Sequence, residues 1–172
     1  MDSRKWVLLD RDGVITEYTP GYIIRPKNLR LDHGAGEALK LFNDNGFSVI
    51  VITNQSCVGR KLASRAAIDA VNEKLCELAE ESGGKITDVY VCPHIDADGC
   101  LCRKPMPGMI LSASEKYRIP LSDTYFVGDS VTDLMAADNA GCSCIICLTG
   151  NPETEGRMRS LGLSPEKTVS SL

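Results

Sequence analysis

Short apolar runs alternate along this chain with stretches of helical periodicity, and the ends of the runs carry most of the polar chemistry. WVLLDRDG, Trp6 to Gly13, opens the series. Its uncharged part suits a buried parallel strand, entered from polar Asp2, Ser3, Arg4 and Lys5 and stopped by Asp10 and Asp12. Turn signals at Thr19, Pro20 and Gly21, and again at Arg25, Pro26 and Lys27, predict an irregular flap over that strand end. Gly34 to Asn45 places Ala35, Ala38, Leu39 and Phe42 on one helical face, with Gly46 as the left-handed stop. Phe47 to Ile52 is a second strand, delivering Thr53, Asn54, Gln55 and Ser56 to the same edge as Asp10. Ser64 caps a long helix whose inward stripe is Ile68, Val71, Leu75, Leu78 and Ala79, closed by Gly83 and Gly84. Ile86 to Val91 is a third strand and runs into CPHIDADGCLCRKP. Pro107 suits the first turn of a helix carrying Met109, Ile110, Leu111 and Ala113, and Tyr125 to Val127 makes a fourth strand ending in Gly128, Asp129 and Ser130. Ser130 caps a helix through Leu134 and Ala137 to Gly141, Cys144 to Leu148 is a fifth strand, and Met158 and Leu161 mark a last helix.

This alternation predicts a doubly wound, mostly parallel, Rossmann-like α/β sheet with helices on both faces. No inserted stretch is long enough for a large cap domain, and 172 residues fit one domain, 1–172, with a distinctive loop at 92–102. Charged residues at 24% and a net charge of -4 give no basic footprint, so nucleic acid is not an expected partner. Anionic ligands must be met by local cations or metal. The polar start has no signal-like run and no apolar stretch is long enough to span a bilayer, so a cytoplasmic monomer away from membranes is expected. In that setting the eight cysteines are read as metal ligands or core rather than disulfides.

The strand ends converge on one edge, where open α/β sheets bind ligands. They bring Asp10 and Asp12, then Thr53 and Asn54, then Arg103 and Lys104 by way of the cysteine loop, then Asp129 and Asp133. Carboxylates for a metal, a nucleophile, and cationic and hydroxyl donors together suit phosphoryl transfer. In the loop itself, Cys92, His94, Cys100 and Cys102 offer three thiolates and an imidazole, a full tetrahedral set for a structural Zn2+ with no open position. Such a metal would fix the loop so that Arg103 and Lys104 aim at the phosphate. Cys142 and Cys144 share a strand face from which Cys147 points away, favouring core packing over a second metal. Cys57, in the loop after Thr53, is a candidate for exposure and oxidation, Cys76 lies beside the inward stripe of its helix, and His33 is read as structural or solvated.

The ordered series DRDGV, TNQS, RKP and GDSVTD resembles the haloacid dehalogenase superfamily of aspartate-nucleophile phosphatases. With CPHIDADGCLCRKPMPGM added, it is similar to one branch, the D-glycero-D-manno-heptose 1,7-bisphosphate 7-phosphatases and the histidinol-phosphate phosphatases. The resemblance covers the chain to about Gly150. It implies Asp10 as nucleophile forming a phosphoaspartate, Asp12 as acid and then base, and Thr53 and Lys104 as holders of the phosphoryl oxygens. It implies Mg2+ on Asp10, the carbonyl of Asp12, and Asp129, while Asp133 either orients a metal water or pairs with a cation. Thr19, Pro20, Gly21 and Tyr22 are expected at the sugar, with Asn54, Gln55, Ser56, Arg103 and Ser130 as further substrate contacts.

Three functions follow from these residues: a heptose-bisphosphate phosphatase serving lipopolysaccharide or surface-glycan synthesis, a histidinol-phosphate phosphatase, and an inactive zinc-stabilised binding module. Arg25, Lys27, Arg60, Lys61 and Arg103 face Glu17 alone around the expected rim, a balance that favours a substrate with a second anion.

Overall fold

A computed structural model describes residues 4–172, so Asp2 and Ser3 of the polar entry lie outside the described residues. Six strands, β1 (Lys5–Leu9), β2 (Phe47–Asn54), β3 (Ile86–Cys92), β4 (Tyr125–Gly128), β5 (Ser143–Cys147) and β6 (Lys167–Val169), form one sheet in the order β3-β2-β1-β4-β5-β6. Every ladder in it is parallel. The helices are α1 (Ala35–Asp44), α2 (Arg65–Glu81), α3 (Gly108–Tyr117), α4 (Val131–Ala140) and α5 (Thr154–Leu161). None is long and apolar enough to cross a membrane.

Both sheet faces are buried, which is why the strands read as unbroken apolar runs rather than as alternating patterns. Val7, Leu9, Val49 and Val51 pack with Leu39 of α1 and with Val71 and Leu75 of α2. On the other face Trp6, Leu8, Ile50, Ile52 and Phe126 pack with Ile110 of α3, Leu134 of α4 and Met158 of α5. β1 sits between β2 and β4, with Leu9 level with Val51 on one side and Val127 on the other. The chain winds outward in opposite directions from β1 and β4, so the loops leaving their carboxyl ends part and open a crevice there.

Several expectations shift in detail. β2 runs on through Asn54 because Thr53 and Asn54 pair with Val91 and Cys92. β6 carries no apolar run; it is an edge strand with exposed Lys167 and Thr168, extended by the Leu148 N–H donating to the Val169 carbonyl at 2.9 Å. Leu111 and Leu161 face solvent while Met158 is buried. Cys57, a candidate for exposure from its loop position, is fully buried in the turn after β2. Cys142 and Cys144 join the core on one face and Cys147 on the other, as the strand alternation requires.

Candidate active site

Asp10 is the first residue past β1, fixed to β4 by its N–H donating to the Val127 carbonyl at 2.8 Å. Its Oδ1 accepts the Arg11 N–H at 2.7 Å and lies 3.0 Å from Lys104 Nζ. Lys104 is buried; Nζ also donates to the Ile52 carbonyl at 2.9 Å and lies 2.6 Å from Asp133 Oδ1 as an ion pair. Asn54 sets the height of the lysine, accepting the Lys104 N–H and donating to the Lys104 carbonyl, each at 3.1 Å. The cysteine loop therefore reaches the crevice through a side chain on β2.

Asp129 follows β4 in the same way. The Asn151 N–H donates to its Oδ2 at 2.8 Å, and the Thr154 hydroxyl donates to its carbonyl at 2.6 Å. A Cβ at Gly13 or Gly150 would stand 2.3 or 2.2 Å from Asp129 Oδ2, so only glycine admits this carboxylate. Asp133 turns its Oδ2 to the Ser130 N–H and hydroxyl at 3.0 and 2.6 Å, capping α4, and gives Oδ1 to Lys104. Asp133 thus pairs with a cation, Lys104, as one of the two roles foreseen for it requires.

Asp12 is held by two neighbours, Arg11 and Gln55. Arg11 Nε and Nη2 fork onto its Oδ1 and Oδ2 at 3.1 and 2.9 Å, and Gln55 Nε2 donates to Oδ2 at 2.8 Å. The same Gln55 nitrogen donates to Thr53 Oγ1 at 2.9 Å, leaving the threonine hydrogen available to a ligand.

Asp10, Asp12, Thr19, Gly21, Thr53, Asn54, Lys104, Asp129 and Ser130 line one pocket of about 250 Å³, joined by Tyr18, Thr132 and Asn151. Pro20, Tyr22, Gln55, Ser56 and Arg103 do not line it. Gln55 is buried behind Asp12 and Thr53, a supporting rather than a contacting position. Tyr22 and Ser56 share a 2.9 Å hydroxyl contact that ties the flap to the loop after β2. Arg103 turns to the cysteine loop, Nε 2.5 Å from Asp96 Oδ1, and lines an adjoining cavity of about 250 Å³ that shares Lys104 with the first. A larger cleft of about 550 Å³ lies between α2 and β3, with Asp69, Glu73 and Asp88 among its acids, but none of these crevice groups lines it.

Burial raises the Asp10 pKa well above the carboxylate range; Lys104 opposes the rise, while Asp133, Asp129 and Asp12 add to it. Burial, then Asp133, pushes Asp129 up to about 7. Burial alone would lower the Lys104 pKa, but Asp10 and Asp133 outweigh it and hold the ammonium above its ordinary value. Four carboxylates, Asp10, Asp12, Asp129 and Asp133, thus meet two paired cations, Arg11 and Lys104, a deficit that matches one divalent ion. Oxygens of Asp10, Asp129 and Asp133 lie within 4.8 Å of one another. Asp133 is committed to Lys104 and its cap, whereas no hydrogen bond from the described residues reaches Asp10 Oδ2 or Asp129 Oδ1. Hard oxygen donors with that charge fit Mg2+.

Cys92, His94, Cys100 and Cys102 also gather their ligand atoms. Adjacent pairs lie between 3.2 Å (His94 Nδ1 to Cys102 Sγ) and 3.7 Å (Cys92 Sγ to Cys100 Sγ). A tetrahedron with about 2.3 Å from centre to sulfur has edges of about 3.8 Å, so the cluster is compatible with a metal.

Arg11, Asn72, Asn151 and Thr154 were not foreseen from sequence. A lone cation between two aspartates marks Arg11, and one amide on an apolar stripe marks Asn72; nothing local marks the other two.

Comparison with known proteins places these features in context. The HAD-hydrolase-like family model matches residues 101–172. The chain is 39% identical over 168 residues to the D-glycero-beta-D-manno-heptose-1,7-bisphosphate 7-phosphatase of Pseudomonas aeruginosa, covering 97% of this chain and 92% of that one. The protein of the same name from Bordetella bronchiseptica is 35% identical over 147 residues, 86% of this chain and 82% of its own. A crystal structure of D,D-heptose 1,7-bisphosphate phosphatase from B. bronchiseptica, complexed with magnesium and phosphate, superposes with a TM-score of 0.89 at 32% identity. That match covers 97% of this chain and 93% of the other.

Proposed function

Because this chain belongs to the D-glycero-D-manno-heptose-1,7-bisphosphate 7-phosphatase family of haloacid-dehalogenase-like hydrolases, we propose that it removes the C7 phosphate of that sugar bisphosphate through a phosphoaspartate at Asp10. The observation that supports this most is the convergence of Asp10, Lys104 and Asp129 at the β1/β4 crevice, with Asp12 and Thr53 lining the same pocket. Asp10 attacks phosphorus through a carboxylate oxygen as the bond to the sugar oxygen breaks, and Asp12 gives the leaving oxygen its proton. Asp12 then takes a proton from water, which cleaves the acyl phosphate and restores Asp10. Lys104 and the Thr53 hydroxyl donate to the equatorial oxygens, where charge builds in the transition state. Mg2+ held by Asp10, Asp129 and the Asp12 carbonyl supplies charge neutralisation at the transferring group. Thr19, Gly21, Asn54 and Ser130 touch the sugar, and the second phosphate extends past Lys104 toward Arg103. Cys92, His94, Cys100 and Cys102 hold a structural Zn2+.

The relatives with 35–39% identity carry the β form in their names, and the β anomer is the proposed substrate. The test is steady-state kinetics on heptose 1,7-bisphosphate of both anomers and on histidinol phosphate. We expect kcat/KM for the β heptose compound to exceed that for histidinol phosphate by at least about a hundredfold, roughly 2.7 kcal/mol, with phosphate released from C7. Equal turnover of histidinol phosphate removes the heptose assignment and leaves a phosphatase.

A further inference from the structure

Arg11 is the largest fully buried side chain of the described residues, and it stands between the two aspartates of the crevice. Its guanidinium does not point into the pocket. Nε and Nη2 take the two oxygens of Asp12 in a fork, and Nη1 donates to Asn72 Oδ1 at 2.8 Å. Asn72 is itself buried on the inner face of α2, so a side chain from the helical layer holds the fork from behind. Gln55 Nε2 donates to Oδ2 at 2.8 Å, so Oδ2 has two donors, whereas the one hydrogen of the Thr16 hydroxyl is shared between Oδ1 at 3.3 Å and the Arg11 carbonyl at 3.2 Å. Of the roughly four acceptor sites of a carboxylate, Arg11 and Gln55 take three, which sets the direction of Asp12 and leaves a site on Oδ1 for the proton it transfers.

A buried arginine and its carboxylate usually contribute no more stability than well-packed apolar side chains would. What the pair does supply is geometry: a planar fork fixes both the position and the plane of its carboxylate, which a lysine ammonium cannot do. We propose that Arg11, anchored by Asn72, is a positioning residue that aims Asp12 at the leaving oxygen and at the hydrolytic water. The inference rests on the assignment of Asp12 as acid and base given above.

A double-mutant cycle with Arg11→Met and Asp12→Asn tests it, using heptose 1,7-bisphosphate, saturating Mg2+ and the full chain. Arg11→Met should lower kcat by about thirtyfold or more with KM changed by less than about threefold, and phosphoenzyme should accumulate on rapid quench. In the Asp12→Asn background the same substitution should cost less than about threefold, because the group it positions is gone. Arg11→Lys should fold like the parent yet recover only part of kcat, and Asn72→Ala should show a weaker loss of the same kind. If Arg11→Met does not fold, Arg11→Lys and Asn72→Ala carry the same cycle. Equal losses in both backgrounds, or a loss confined to KM, would overturn the positioning role. Should Asp12→Asn by itself leave kcat within about threefold of the parent, the acid-base assignment falls instead.

Discussion

At Asp10 two demands compete: burial favours the protonated form, while nucleophilic attack needs the anion. Lys104 works against burial there, which is why a buried lysine is tolerated 3.0 Å from the carboxylate, and a bound Mg2+ would add to its effect. Asp10→Asn keeps the shape and removes the nucleophile, so kcat should fall by more than about a hundredfold in a phosphate-release assay, a loss of several kcal/mol. Retention of more than that would argue against a phosphoaspartate. Arg103 poses a different question, because it is spent on Asp96 and the His94 carbonyl while lining the cavity next to Lys104. If the distal phosphate reaches that cavity, Arg103→Ala should raise KM for the bisphosphate at least about tenfold while leaving a monophosphate such as p-nitrophenyl phosphate unaffected. A parallel change for both compounds would place the distal phosphate elsewhere.

Two loops act as elements in their own right. Residues 93–102 contain only the short 3-10 turn Asp96–Asp98, and of the four metal-ligand groups Cys92 is buried while His94, Cys100 and Cys102 are partly so. Elemental analysis should therefore find about one zinc per chain, and Cys100→Ser should lose it and lower Tm, since binding free energy at such a site is folding free energy. A zinc-free protein whose Cys100→Ser variant melts like the parent would contradict the assignment. The second loop, Gly150 to Thr154, braces Asp129 with an N–H, a hydroxyl and a glycine that leaves room for Oδ2. In Gly150→Ala the added carbon lands 2.2 Å from that oxygen, so Asp129 must move. Mg2+ activation should then need about ten- to a hundredfold more metal, the usual result of disturbing the support of a ligand. Unchanged activation would show that Asp129 has slack.

Across the whole molecule, the crevice links stability to pH and metal. Asp129 has its pKa pushed up to about 7, above the value near 4 of an unfolded carboxylate. The metal-free folded protein therefore binds a proton more tightly than the unfolded chain; that stabilisation is complete below about pH 4 and is lost as pH rises through 7. Mg2+ binds the deprotonated form, so the Mg2+-induced rise in Tm should be larger at pH 8 than at pH 6, with apparent affinity growing up to about tenfold per unit below pH 7. Differential scanning calorimetry with and without Mg2+ checks this, and the pH dependence should shrink in Asp129→Asn, with the part that comes from Asp10 remaining. A larger shift at pH 6 would reverse the assigned sign.

How far the chain was readable follows from where each signal resides. A strand buried on both faces must be an uninterrupted apolar run, so β1, β2, β4 and β5 and the helices between them were legible, whereas β6, a polar edge strand, leaves no such mark. Asp10, Thr53 and Asp129 could be placed at the crevice because each sits at or just beyond a run whose direction the βα alternation fixes, and Lys104 because it closes the cysteine loop that leaves β3. Asp133 had two possible partners in sequence and found Lys104 only when the cysteine loop was folded across β2 by Asn54. Arg11 and Asn72, 61 residues apart, and Asp129 and Thr154, 25 apart, meet only after helices and loops pack onto the sheet. Local pattern determines which strand ends carry chemistry, because periodicity and burial act over a few residues. Which side chain turns toward which depends on long-range packing, and only the tertiary structure decided it.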